Sequence, residues 1–215
     1  MKSAELEAKV KLLSETVAKL EKRVQTTEDI EAIKKLHRAY GYYLEHWQDD
    51  EIVELFSHNP EVSVEINATG LYKGWEAVKA SYRFTDHYTA YKGAKKAPPD
   101  YLHILMPIAS IIDVAPDGKT AKGRWFGFGP LAIPGEDERV KAIWGFGIYE
   151  NEYVKEKGRW KIKKLHYDYI MTTPYEDGWV KTPTMRIWGD LNSYDKPYPS
   201  GFILPYHYKN PGSGK

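Results

Sequence analysis

The sequence contains no cysteine, so disulfides, thiolate nucleophiles and cysteine-bound metals are excluded. It has no charge of one sign to spare: 31 Lys and Arg against 30 Asp and Glu leave a formal charge of +1, which argues against nucleic acid or an anionic membrane as partner. No apolar run is long enough to span a bilayer, and the opening "MKSAELEAKV" lacks the apolar core of a secretory signal, so the expected location is the cytoplasm. The seven histidines form neither His-Glu-x-x-His nor His-x-His, and there is no Gly-x-Ser-x-Gly elbow; a catalytic metal and covalent acyl transfer both lose their usual signatures. "GFGPLA" has two glycines at dinucleotide-loop spacing, but "IPGEDE" follows where a helix would be needed. The expectation is an activity with neither metal nor cofactor, which leaves general acid–base chemistry.

What is abundant is aromatic: 17 Tyr and 7 Trp in 215 residues, within a 42% hydrophobic composition. Such rings carry an apolar body and a polar tip and serve equally well as core or as the wall of a pocket for an aromatic ligand. The length suits one domain with an appendage. Leu6, Val10, Leu13, Val17, Leu20 and Val24 are spaced 4, 3, 4, 3, 4, a heptad seam that either docks on its own domain or joins protomers; Val at a and Leu at d favour a parallel pair. A second helix is expected from Thr27 as N-cap, with Ile33, Leu36, Tyr40, Tyr43, Leu44 and Trp47 as its apolar stripe. "DDEIVELF" reads as a short helix, "EVSVEIN" as a strand and "WEAVKASYRF" as a third helix. Beyond these, "YLHILMPIASIIDV" and "TAKGRWFGFGPLAI" flank the Asp-Gly turn "APDGKT", and "VKAIWGFGIYENEYV" and "RWKIKKLHYDYIMT" flank "KEKGR", giving two hairpins of an antiparallel meander. Glycines beside aromatics in "GRWFGFGP" and "IWGFGIY" predict a strongly bent sheet with free volume above its backbone. The division is residues 1–26 as heptad helix, 27–180 as an α+β domain and 181–215 as an irregular extension.

The polar residues available for chemistry are Tyr40, Tyr43 and Glu45 on the helix, with His103, Arg124, His166 and Asp168 on strands. Gly41 costs a helix interior about 1 kcal/mol relative to alanine and clears space in the turn that Glu45 leans over. Periodicity alone leaves Glu45 equally readable as a solvated flank residue, His103 as a satisfied core histidine, and Arg124 as an ion-pair partner. His37, His46, His58 and His87 read as solvated or capped.

The ensemble "AYGYYLEHWQDDEIVELF", "GLYKG", "DVAPDGKTAKGRW", "IYENEYVKEKGRWKIKKLHY" and "PYEDGW" resembles a SnoaL-like protein of the NTF2-like superfamily over about residues 27 to 180. The resemblance implies a cone of three helices on a strongly curved antiparallel sheet, enclosing a pocket. It also implies membership of a group that includes cofactor-free dehydratases, isomerases, polyketide cyclases, aldol-type lyases and non-catalytic binding proteins. In such dehydratases a tyrosine is followed five positions later by an acid near the end of the first helix, which Tyr40 and Glu45 match with Glu in place of the usual Asp. The histidine partner falls on His103, while the acid that sometimes orients it has no counterpart, Arg124 and Phe126 standing near its place. More narrowly, the chain resembles bacterial lyases of lignin-derived diarylpropanes, which implies loss of water and formaldehyde from a diaryl diol. On that reading Glu45 and His103 are the acid–base groups, Tyr40 and Arg124 polar stabilisers, and Tyr43, Trp125, Phe126, Trp144, His166, Tyr167 and Asp168 line the substrate. The related dehydratases imply a homotrimer, which is narrowly preferred to the dimer that the seam suggests.

Overall fold

The computed structural model describes residues 2–66, 69–83, 91–92, 94, 96–134 and 139–182. The expected extension therefore lies outside the described residues from 183 on, as does His87. Among the described residues, four helices, α1 (Lys2–Glu45), α2 (Asp49–Val53), α3 (Trp75–Ser81) and α4 (Gly178–Lys181), accompany strands β1 (Ser63–Ile66), β2 (Gly70–Lys73), β3 (Leu102–His103), β4 (Met106–Val114), β5 (Thr120–Pro134), β6 (Val140–Glu156) and β7 (Arg159–Pro174). None of these helices is long and apolar enough to cross a membrane.

The boundary expected between residues 26 and 27 falls inside α1, so the two expected helices are one. Thr27 does not cap; Thr26 Oγ1 donates to the Lys22 carbonyl and Thr27 Oγ1 to that of Arg23, the back-bonding that lets hydroxyl residues ride inside a helix. With no Pro or Gly between Lys2 and Tyr40, nothing interrupts the turn-to-turn ladder. Every residue from Ser3 to Gln25 is exposed, so the first half of α1 does not dock on its own domain. The body begins at Asp29, 3% exposed, whose carboxylate accepts from Trp160 Nε1 (2.9 Å) and lies 2.5 Å from Lys155 Nζ. From there Ile33, His37, Tyr40, Leu44 and Trp47 are buried at spacings of 4, 3, 4 and 3, the narrow stripe of a helix lying on a sheet.

The sheet runs β2-β1-β7-β6-β5-β3, with β4 also on β5. It is antiparallel except for β1, which lies parallel to β7; an excursion through α3 separates β1 from the meander and allows that orientation. Both expected hairpin turns form, the β6–β7 loop with Lys157 and Gly158 at φ 48° and 79°, as a two-residue turn of the type that suits sheet twist requires. The segment expected as one strand, "YLHILMPIASIIDV", is broken at Ile104 and Leu105, and a register shift between Ile108 and Ile111 accompanies Ala109 at φ 51°. It is a sheet-edge segment, where bulges and Pro107 are tolerated. The third helix stops at Ser81, short of the expected Phe84.

The expected free volume above the glycines is filled. A Cβ on Gly147 would come within 2.6 Å of the Tyr167 ring, and one on Gly127 within 2.8 Å of Tyr149, so these glycines let tyrosine rings settle onto neighbouring backbone and pack the cone's interior. The Tyr149 and Tyr167 rings pack at a tilt of 36°, centroids 4.2 Å apart.

Candidate functional site

Side chains alternate across a strand, and the alternation sorts the expected site residues. Along β5, Gly123, Trp125, Gly127, Gly129 and Leu131 face inward and are buried; Arg124, Phe126 and Phe128 occupy the opposite face. Along β6 and β7, the register pairs Arg124 with Glu150 and Trp125 with Tyr149, and Tyr149 with Tyr167. Trp125, Tyr149 and Tyr167 thus share the inner face, while Arg124, Phe126, Trp144, His166 and Asp168 belong to the outer one. Expecting all of these to line one pocket conflicts with the strand period: Trp125 and Phe126 are neighbours in sequence and cannot share a face.

The outer-face polar residues have structural engagements of their own. Arg124 Nη1 donates to Glu150 Oε1 in an ion pair buried on both sides, which answers its charge on the outer face. His166 Nδ1 lies 3.1 Å from Glu65 Oε2; burial pulls its pKa down against the opposing carboxylates of Glu65, Asp168 and Glu150. Phe126 stacks on Phe146 and Phe128 on Trp144.

At the inner face, His37 is 1% exposed rather than solvated or capped. Its ring lies 4.6 Å from Trp125 and 4.7 Å from Tyr149, Asn151 Nδ2 is 3.4 Å from its Nδ1, and burial lowers its pKa to about 3. Tyr40 accepts a 3.2 Å hydrogen bond from Tyr82 Oη; desolvation pushes its pKa up to about 12, so it stays a neutral phenol. Tyr43 packs against the core from its edge.

Glu45 and His103, 58 residues apart, meet at the rim of the cone. Glu45 ends α1, and its Oε2 accepts a 2.7 Å hydrogen bond from the His103 main-chain N–H, a donor on an edge strand. Trp47 turns the chain after α1 at φ 52°, with Gln48 N–H returning to the Tyr43 carbonyl, a helix stop usually made by glycine. Its indole packs edge-on to Tyr101, centroids 5.0 Å apart, and Tyr101 Oη is 3.0 Å from His103 Nδ1. The imidazole is 6% exposed, and desolvation lowers its pKa to about 4. It is therefore neutral at neutral pH, and a neutral imidazole can take up a proton. Tyr40 and Glu45, five residues apart, sit about 140° apart around the helix: Tyr40 points into the packed interior and Glu45 to the rim. Beside Glu45 a groove of 420 Å³ is lined by Arg38, Gly41, Ile104, Met106 and Pro107 among others. Gly41 opens it, since a Cβ there would meet only Pro107 Cδ, at 4.0 Å. Among the described residues no three His, Asp or Glu side chains converge as a metal site would require.

Residues 25–166 match the model of the SnoaL-like domain. The chain belongs to that family. The SnoaL-like body has the NTF2-like architecture of solved structures with low sequence identity. A candidate scytalone dehydratase from Novosphingobium aromaticivorans superposes with a TM-score of 0.56 at 18% identity, over 79% of this chain and 97% of that one. The hexachlorocyclohexane dehydrochlorinase LinA-type3 from Novosphingobium barchaimii gives 0.53 at 17%, over 71% and 93%. A candidate aromatic ring hydroxylase from Novosphingobium aromaticivorans gives 0.52 at 18%, over 70% and 96%. Within the SnoaL-like domain the sequence alone did not single out Tyr101 or His37. Tyr101 stands two residues before His103, and His37 falls on the helical stripe four residues after Ile33 and three before Tyr40, so spacing could have found both.

Proposed function

We propose that the chain is a cofactor-independent lyase that uses general acid–base elimination on a bulky aromatic alcohol. The observation that carries this reading is that the Glu45 carboxylate lines a largely apolar groove while accepting from the main-chain N–H of His103, whose imidazole is held neutral by burial. Two of the similar folds bear the names of a dehydratase and a dehydrochlorinase. At such identities they lend architecture alone, and the acid–base pair is what favours elimination here. The substrate class that suits the groove is a 1,2-diaryl-1,3-propanediol. A base takes the terminal hydroxyl proton, the adjoining carbon–carbon bond breaks to release formaldehyde, and its electron pair forms the stilbene double bond as the benzylic hydroxyl leaves, protonated, as water. Glu45 and His103 share the two proton transfers, Tyr101 steadies the imidazole, and Arg124 has no part.

Incubating the protein with such a diol in metal-free buffer and analysing products by mass spectrometry tests the reading; stilbene and formaldehyde in equal amounts are expected. Water loss without formaldehyde would instead assign a dehydratase. A second reading, a non-catalytic binding protein, is favoured by the Glu45 bond to main chain, which by itself is a structural task; it predicts that the diol binds and is recovered unchanged.

A further inference from the structure

We infer that residues 3–24 form a parallel, two-stranded coiled coil with a second copy of this chain. The seam of Leu6, Val10, Leu13, Val17, Leu20 and Val24 lies on a helix that no described part of its own body covers: these residues are between 48% and 64% exposed. Six aliphatic side chains in heptad register on a solvated helix leave an apolar stripe that only a partner can remove from water. The helix is first half-buried at Thr26 and first fully buried at Asp29, and at the next d position Thr27 turns its hydroxyl back to the Arg23 carbonyl, which ends the seam where the domain begins.

The flanking charges choose the partner and its direction. With Val10, Val17 and Val24 at a and Leu6, Leu13 and Leu20 at d, the e positions are Glu7, Ser14, Glu21 and Glu28, and the g positions are Lys9, Thr16 and Arg23. In a parallel pair each g faces the following e of the other strand: Lys9 meets Ser14, Thr16 meets Glu21 and Arg23 meets Glu28 of the second copy, with no like charges opposed. An antiparallel pair would set e against e and g against g, gathering Glu7, Glu21 and Glu28 on one side and Lys9 and Arg23 on the other. The surface is thus complementary to itself in one orientation. β-Branched residues at a with leucine at d select two strands over three, so the dimer replaces the trimer that family resemblance suggests.

Sedimentation velocity on the full chain should find a species of twice the 24.8 kDa chain mass, and Leu13→Glu with Leu20→Glu should reduce it to one chain while leaving the body's thermal transition in place. Because the sequence has no cysteine, Leu6→Cys and Val24→Cys each introduce a single thiol. In the parallel register each faces its own counterpart, and both variants should cross-link under mild oxidation. An antiparallel pair would hold the two thiols of either variant about 27 Å apart or farther. A wild type of one- or three-chain mass would overturn the inference, as would a mass unchanged by the seam variant or the failure of either thiol to cross-link.

Discussion

Glu45 has two tasks that substitution separates. Glu45→Gln keeps an oxygen to accept from the His103 N–H and should leave the melting temperature nearly unchanged, while the loss of proton transfer lowers kcat by about 10²- to 10⁴-fold. Glu45→Ala should also lower stability by about 1–3 kcal/mol, because a main-chain donor loses its partner; urea titration of the two variants distinguishes the tasks. The second prediction concerns His103 as base. Its pKa of about 4 places the acid limb of the rate profile there, so activity measured by rapid pH jump should persist below pH 6 and fall as pH drops through about 4. A limb near the ordinary 6.5 would remove His103 from that role. Gly41→Leu offers a third: the better helix former gains somewhat under 1 kcal/mol yet projects into the groove, so turnover should fall with an unchanged or raised melting temperature.

Among the elements, β3 is where sequence and structure part most instructively. Gly129 on β5 lets the Ile104 carbonyl approach so closely that a Cβ would overlap it, and the Ile104 N–H returns to the Pro130 carbonyl at 3.2 Å. Gly129→Ala should push β3 and its histidine outward, costing about 1–3 kcal/mol as overpacking usually does and lowering activity further than that instability explains; paired melting and rate measurements check it. The hairpins, the stripe on α1 and the long antiparallel meander were legible because periodicity and turn chemistry act locally. The broken edge strand was not, since its cause lies 25 residues away on β5. The helix boundary at Thr27 was misread for a different reason: a hydroxyl residue serves either to start a helix or to bond back inside one, and only the continuing ladder decides. That Arg124 and Trp125 lie on opposite faces was legible in the sequence, because the strand period already sends neighbouring residues to opposite sides.

At the scale of the whole molecule, two of the three buried imidazoles among the described residues, His37 with a pKa of about 3 and His103 of about 4, have no carboxylate set against the effect of burial as His166 has in Glu65, Asp168 and Glu150. Above pH 6.5 both are neutral whether the chain is folded or not. As pH falls below 6.5 the unfolded chain takes up protons that the folded one refuses, so stability declines through the window from 6.5 to about 3. At about pH 4.5 each contributes a loss of roughly 3 kcal/mol. Urea unfolding at neutral pH and at about pH 4.5 should show this difference, and His37→Phe should remove roughly 3 kcal/mol of it; an equal pH dependence in the variant would refute the assignment.

α1 also sets an angle. It is one uninterrupted rod from the exposed stripe to Glu45, and residues 3–25 are all exposed, so the rod alone fixes how the stripe is turned relative to the cone. Inserting one residue between Val24 and Glu28 would leave stripe and cone each intact, yet rotate one against the other by about 100° and separate them by about 1.5 Å. In a paired protein the mutual facing of two cones is therefore counted in residues. Relatives whose rods differ by three or four residues would present nearly the same side to one another, and those differing by two would present almost opposite ones.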